Sequence, residues 1–260
     1  MNKRFNRVNI NLNGKGITGD IVTSIRPEPV KQTSFAEVRG LIGDLNLKGH
    51  RALIVGGSRG LGEVCAKVVS AAGADVLLTY AAGAQEAEDV AAEIRNAGAN
   101  AITERLDVIS IKETNLEKIK QFKPTQMYYW ATPKINITNS AIFREELFEK
   151  YSNIYLYGFF NLINSLQSHE NDILNIFYPS TTLIDEPMAG VVEYAAAKSA
   201  GESCCHTIEV VHKHINCTVC RLPKIRTDQT ATLFGNDGAD PLTEMIAIVR
   251  KTANVESASQ

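Results

Sequence analysis

A tyrosine and a lysine four residues apart, Tyr194 and Lys198, stand in the run VEYAAAKSAGE, residues 192–202. On a helix four residues make about one turn, so the phenol and the ammonium share a face. A free phenol titrates near ~10, too high for easy proton exchange at neutral pH. A fixed positive charge beside it favours the phenolate and draws that value toward the working range. Such a pair is an acid–base device. A solvated lysine near a packing tyrosine leaves the same trace in a chain with eight tyrosines, so the surrounding elements must decide.

A second group lies upstream. IVGGSRGLGEV, residues 54–64, sets Gly56, Gly60 and Gly62 between an apolar run and a helical pattern. Glycines there permit unusual backbone angles and close approach of a pyrophosphate, which then sits on the N-terminus of the following helix. The motif gains its meaning from context: it follows a predicted strand and opens a predicted helix.

The elements that must position both groups follow from periodicity. Apolar, β-rich runs at 51–56, 74–80, 100–108, 125–132, 172–180 and 215–222 alternate with helical patterns. The helices are read at 60–73, 84–98, 113–122, 141–167, around Tyr194 and Lys198, and near 240–252. Nearly continuous apolar strands between helices predict an α/β fold with a doubly wound parallel sheet of about six strands. Residues 1–47 read as an N-terminal arm: a β-hairpin-like pattern, an extended Pro-containing stretch, and a short helix. Ser34 is the expected N-cap of that helix, with Glu37 in the reciprocal capping position. The domain itself is read as residues 48–260.

The 260 residues carry 44% hydrophobic and 22% charged side chains, ordinary for a globular protein. A formal charge of −2 leaves no basic footprint for nucleic acid. No apolar run reaches the roughly 18–20 residues of a bilayer span, and the N-terminus lacks the apolar core of a secretory signal. A cytoplasmic location without a membrane partner is therefore expected. Five cysteines, an odd and small number, argue against a disulfide framework. Cys217 and Cys220 have metal or redox spacing, but NCTVCRL reads as a strand, where positions three apart point to opposite faces. No metal site is expected.

Over about residues 48–250 the chain resembles the short-chain dehydrogenase/reductase family, which has a Rossmann-type fold. Members carry a glycine turn like VGGSRGLG, an acid after the third strand, and Tyr-x-x-x-Lys downstream of a serine. Here LDV supplies Asp107, and YPSTT precedes EYAAAK. The resemblance implies a catalytic set of Ser180, Tyr194 and Lys198, with Thr181 a rival for the serine position because loop length shifts it by one. Tyr194 would protonate a carbonyl oxygen, Lys198 would lower its pKa and bind ribose hydroxyls, and the serine would hold the substrate oxygen. The implied cofactor contacts are Gly56, Ser58, Arg59, Gly60, Leu61, Gly62, Tyr80, Asp107, Val108, Ala131, Tyr194, Lys198, Pro223 and Thr227. Among them Asp107 would meet the adenine amino group and Thr227 the nicotinamide amide.

The second strand ends LLTYAAG, with no carboxylate at Thr79, Tyr80 or Ala81 to repel a 2′-phosphate. Arg59 offers that phosphate a planar, charge-assisted fork. NADP is thus expected, in its reduced form NADPH, with NAD the less fitting cofactor. The implied function is NADPH-dependent reduction of a keto or acyl-derived carbonyl to an alcohol. The competing reading is a non-catalytic dinucleotide-binding protein, a sensor or structural subunit. A homo-oligomer, dimer or tetramer, paired through the long helices is also expected.

Departures from the family pattern bear on the site. Trp130, Ala131, Thr132 and Pro133 replace an Asn-Asn-Ala-Gly-like segment, which predicts a changed floor under the adenosine ribose. The family's helix asparagine, part of a water-mediated proton relay, falls at Tyr155, and Asn153 lies about 200° away around a helix. Pro223-Lys224 replaces Pro-Gly. No pattern for the last family strand follows residue 253, so a sheet of six parallel strands, or an N-terminal arm that covers the open edge, is expected.

Overall fold

A computed structural model of the chain describes residues 32–135, 142–166, 173–227 and 238–253; the hairpin-like pattern of the arm lies outside them. Six strands are present: β1 (Arg51–Val55), β2 (Asp75–Tyr80), β3 (Ala101–Arg105), β4 (Gln126–Tyr129), β5 (Leu174–Thr181) and β6 (Ile215–Leu222). They form one parallel sheet in the order β3-β2-β1-β4-β5-β6. Successive side chains feed opposite faces: Ala52 and Ile54 enter one core, Leu53 and Val55 the other. Burial on both faces explains why the strands read as unbroken apolar runs.

The helices are α1 (Phe35–Leu41), α2 (Gly60–Ala71), α3 (Ala84–Asn96), α4 (Glu113–Phe122), α5 (Glu145–Ser152), α6 (Phe159–Leu166), α7 (Val192–Val211) and α8 (Pro241–Ala253). Apolar residues of α1, α2, α3 and α8 build the first core, and those of α4 to α7 the second. The chain steps outward from β1 through β2 to β3, then returns to β4 and runs the other way. Loops leaving the C-terminal ends of β1 and β4 therefore diverge and open a crevice at this switch point.

The capping box at Ser34 forms as read, with the Ser34 N–H donating to the Glu37 carboxylate at 2.9 Å. Phe35 and Val38 of α1 are buried in the first core. Lys67 of α2, buried beside them, donates to Thr33 O at 3.1 Å and pairs with Glu63 at 2.8 Å and Glu93 at 2.7 Å. The last part of the predicted arm is thus packed onto the domain.

The helix expected to run unbroken over 141–167 is interrupted. Asn153–Gly158 forms a π turn between α5 and α6. At the end of this turn the helix packs closely on the loop after β3, where a Cβ on Gly158 would lie 2.9 Å from the Val108 carbonyl oxygen. Among the described residues no strand pairs with the outer edge of β6. None of their helices is long and apolar enough to cross a membrane.

Candidate active site

The residue after β1, Gly56, adopts φ +84°, and a Cβ on it would lie 2.9 Å from Ala131 N. Only glycine lets the exits of β1 and β4 meet in this way. At Gly62 a Cβ would fall 2.1 Å from the Gly56 carbonyl oxygen, so any side chain would lift α2 off the turn. Exposed Arg59 is the N-cap of α2 and makes no side-chain cap hydrogen bond. The helix therefore offers its first N–H groups, and its positive end, to an anion.

Other implied cofactor residues gather here to differing degrees. Buried Thr227 approaches the turn, 3.8 Å from where a Gly60 Cβ would sit. Leu61 packs into the first core, so its backbone is what faces a ligand. Ser58 and Tyr80 are half-buried, and Pro223 is exposed. Asp107 is exposed and uses Oδ1 to accept the Ile109 N–H at 3.0 Å, closing the turn after β3, while Val108 is buried. Thr79 supports the turn from beneath: its Oγ1 accepts from Gly56 N–H and donates to Ile54 O, each at 3.3 Å. A sharp glycine turn, an uncapped helix N-terminus and a switch-point crevice together fit a dinucleotide.

Two residues beside the crevice were not placed by the reading of the sequence. Trp130 is buried in the first core with its ring 5.1 Å from Phe177, so this part of the changed segment turns into the packing beneath the sheet. Strand alternation after β4 decides this. Glu86, in the first turn of α3, is an acid that inspection of the β2 end does not count. Its Oε2 lies 3.2 Å from the position of a Gly83 Cβ, which is itself 3.0 Å from Ser58 Oγ. The signal was available, since acids gather in first turns of helices.

Tyr194 and Lys198 lie near the start of α7. The Tyr194 ring meets Tyr151 at 5.8 Å and Tyr155 at 5.7 Å, both edge-on. Its hydroxyl lies near the side chain of Thr181, the last residue of β5, which draws the phenol's pKa down. Thr181 Oγ1 also accepts the Leu183 N–H at 3.3 Å, capping the 3-10 turn Thr182–Ile184. Ser180 points to the other side of the strand. Its hydroxyl is buried without a hydrogen bond of good geometry and faces Glu202, whose carboxyl is held below its usual range first by Arg221 and then by Ser180. The structure thus brings Thr181, and not Ser180, to Tyr194.

Burial pushes the Tyr194 phenol up to about 12, against the Thr181 side chain, which pulls it down. Lys198 is 3% exposed, and its Nζ donates to Pro179 O at 2.6 Å. Desolvation pulls its ammonium down to about 7. The ammonium is held by the Pro179 carbonyl and by the faces of Tyr155 and Tyr178.

Ion pairs brace both flanks. Buried Glu193 accepts from Arg144 N at 2.8 Å and Nε at 3.0 Å, tying the approach to α5 onto the start of α7. Arg221 of β6 grips Glu202 at 2.9 and 2.7 Å and also Asp185, beyond the 3-10 turn. Cys217 packs toward the second core and Cys220 toward the first, on opposite faces of β6 as alternation requires.

A family model for short chain dehydrogenase matches residues 50–237. The short chain dehydrogenase/reductase nsrJ of Aspergillus novofumigatus is 38% identical over 68 residues, which are 26% of this chain and 26% of that protein. The match thus spans about a quarter of the relative's length. The landomycin C-6 ketoreductase LanV, solved with bound NADP and rabelomycin, aligns with TM-score 0.69 at 20% identity, over 83% of this chain and 93% of that one. An oxidoreductase of E. coli, yciK, gives 0.70 at 17% identity over 80% and 91%. A short-chain dehydrogenase/reductase from Serratia marcescens gives 0.67 at 21% identity over 80% and 91%. At these identities the solved structures speak for the fold.

Proposed function

The chain belongs to the short chain dehydrogenase family, and from that premise we propose that it is an NADPH-dependent reductase of a keto or acyl-derived carbonyl. The observation that carries this reading is the Tyr194–Thr181 pair at the C-terminal end of β5, the sheet edge at which the glycine turn leaves β1. The turn at Gly56–Gly62, Asp107, Ala131, Lys198 and Thr227 would hold the dinucleotide, which supplies a hydride when bound. Arg59 would take its 2′-phosphate, since β2 ends without an acid; Glu86 works against that choice.

In the reaction, Tyr194 is the general acid. With its phenol raised to about 12 it carries a proton at neutral pH, and a carbonyl oxygen gaining negative charge is strong enough a base to take it. Positioned transfer of this kind contributes roughly 10²–10⁴-fold in rate. Thr181, whose side chain lies near the phenol, would orient the same oxygen and take the part that the resemblance gave to Ser180. Lys198 binds ribose hydroxyls and, when protonated, offsets the charge left on Tyr194. The packed rings of Tyr151 and Tyr155 keep water from the phenol's flank. A homo-oligomer paired through α5, α6 and α7 in the cytoplasm belongs to the same proposal.

One feature favours a nucleotide-binding sensor instead: the Lys198 ammonium engages the Pro179 carbonyl and two rings. Oxidation of NADPH and NADH, followed across aliphatic ketones, aromatic ketones and acyl thioesters, separates the two. Turnover in at least one class, about tenfold better with NADPH, is expected. Tight NADPH binding with no turnover across all classes would support the sensor.

A further inference from the structure

The tyrosines around Lys198 form a surface that the proposed reaction leaves unexplained. A buried ammonium ordinarily needs a carboxylate or a full set of oxygen acceptors. Among the described residues no carboxylate pairs with Lys198: Glu202, one turn along α7, is held by Arg221, and Glu193 by Arg144. What meets Nζ is the Pro179 carbonyl at 2.6 Å, the face of Tyr155 at 3.8 Å from the ring centre, and the face of Tyr178 at 5.0 Å. Both rings lie inside the roughly 6 Å reach of a cation–π contact, which strengthens when desolvated.

Each ring is fixed through its hydroxyl. The Tyr178 hydroxyl donates to Tyr155 O at 3.2 Å, and the Tyr155 hydroxyl shares a 2.7 Å hydrogen bond with Thr132 Oγ1. Tyr155 itself sits in the π turn, stacked on Tyr151 at 6.1 Å and 19°. The titratable groups around the ammonium are Tyr155 of the π turn, Tyr178 of β5, and Tyr194 and Cys205 of its own helix, with Tyr129 of β4 beside both rings. Burial pushes every one of these phenols up, and contact with Cys217 followed by burial does the same to the Cys205 thiol. None of the phenols supplies a counter-charge; Cys205 alone draws the ammonium's pKa up, against the larger pull of desolvation.

We infer that Tyr155 is a positioning residue whose ring face takes the place of a counter-ion, fixing where the Lys198 ammonium sits and how firmly it keeps its proton. The functional weight of this inference rests on the reading of Lys198 as part of the reaction site. Tyr155 occupies the place of the relay asparagine but does a different job. Its hydroxyl is committed to Thr132, so the ring is what Lys198 meets.

An NMR titration of the full chain labelled with 13Cε-lysine, with Lys198 assigned through Lys198→Met, reads the ammonium with neither nucleotide nor substrate. Tyr155→Phe is expected to leave the Lys198 pKa within about 0.3 units, and Tyr155→Leu to lower it by about one unit. If Tyr155→Leu does not fold, phenylalanines with one to three ring fluorines at position 155 are near-isosteric and should lower it stepwise. An unchanged or raised pKa in Tyr155→Leu, a flat fluorine series, or a Tyr155→Phe shift as large as that of Tyr155→Leu would overturn the inference. Where turnover is measurable, its basic limb should move with the titration, and a fixed limb would remove the functional role. A wild-type chain without turnover would instead sink the reductase reading and leave the titration to decide this one.

Discussion

On the β1 side of the crevice the working surface is backbone: the Gly56 turn, the missing Cβ of Gly62 and the uncapped start of α2. On the β5 side it is side chain: Thr181, Tyr194, Lys198 and the rings of Tyr151, Tyr155 and Tyr178. A backbone surface is tied to a few glycines and tolerates little change. A side-chain surface can keep its reacting atoms while everything beneath them is replaced. In the proposed reading the second half of this site is of that kind, with Tyr155 where the family resemblance implies an asparagine and Thr181 in the part it gives to Ser180.

The largest effect should come from taking one oxygen from the β5 side. Tyr194→Phe is expected to bind NADPH as the unaltered chain does, by fluorescence titration, and to lose roughly 10²–10⁴-fold in turnover. Unchanged steady-state reduction would take Tyr194 out of the mechanism and erase the contrast between the two sides.

The next effect is on stability. Folding pulls the Lys198 pKa from 10.5 to about 7, so the unfolded chain binds this proton more tightly. Below about pH 7 both states hold the proton and the burial penalty is fully present. Between about pH 7 and 10.5 only the unfolded state holds it, and stability from this group rises with pH. Lys198→Met should therefore stabilise the chain on the order of a few kcal/mol at pH 6, with the gain shrinking toward pH 10. Urea melts across that range test the sign; a gain that grows with pH would contradict a desolvated Lys198.

How much of each side was legible follows from the same contrast. The glycine turn, the alternation of strands and helices and the Ser34–Glu37 box were readable because each depends on residues close in sequence and on backbone rules. Thr181 and Ser180 were not separable, since a shift of one residue along a strand reverses the face and loop length alone does not fix it. The π turn leaves no periodic trace; it ends where the helix between β4 and β5 packs on Val108 at Gly158. Arg144–Glu193 joins residues 49 apart in sequence, beyond any local pattern.

That Thr181–Ser180 ambiguity gives a sharper and smaller test. Thr181→Val keeps the shape of the strand end and removes the hydroxyl near Tyr194. It should lower kcat about 10–10²-fold, the range of one oriented hydrogen bond at a reacting oxygen. Ser180→Ala, which touches only the Glu202 side, should change kcat less than about threefold. A reversal of the two results would return the catalytic place to Ser180.

The smallest effects probe whether the β1 side also uses side chains. Arg59 and Glu86 flank the turn with opposite charge and both face solvent, so salt screens each of them. A 2′-phosphate bound there is attracted by the first and repelled by the second. Arg59→Ala should raise KM for NADPH about tenfold, and Glu86→Gln should lower it about twofold, with kcat unchanged in both. The same changes should leave KM for NADH nearly still, because NADH lacks the phosphate. Equal responses to the two nucleotides would mean that charge on this side does not select the cofactor, and that its recognition is wholly a matter of backbone.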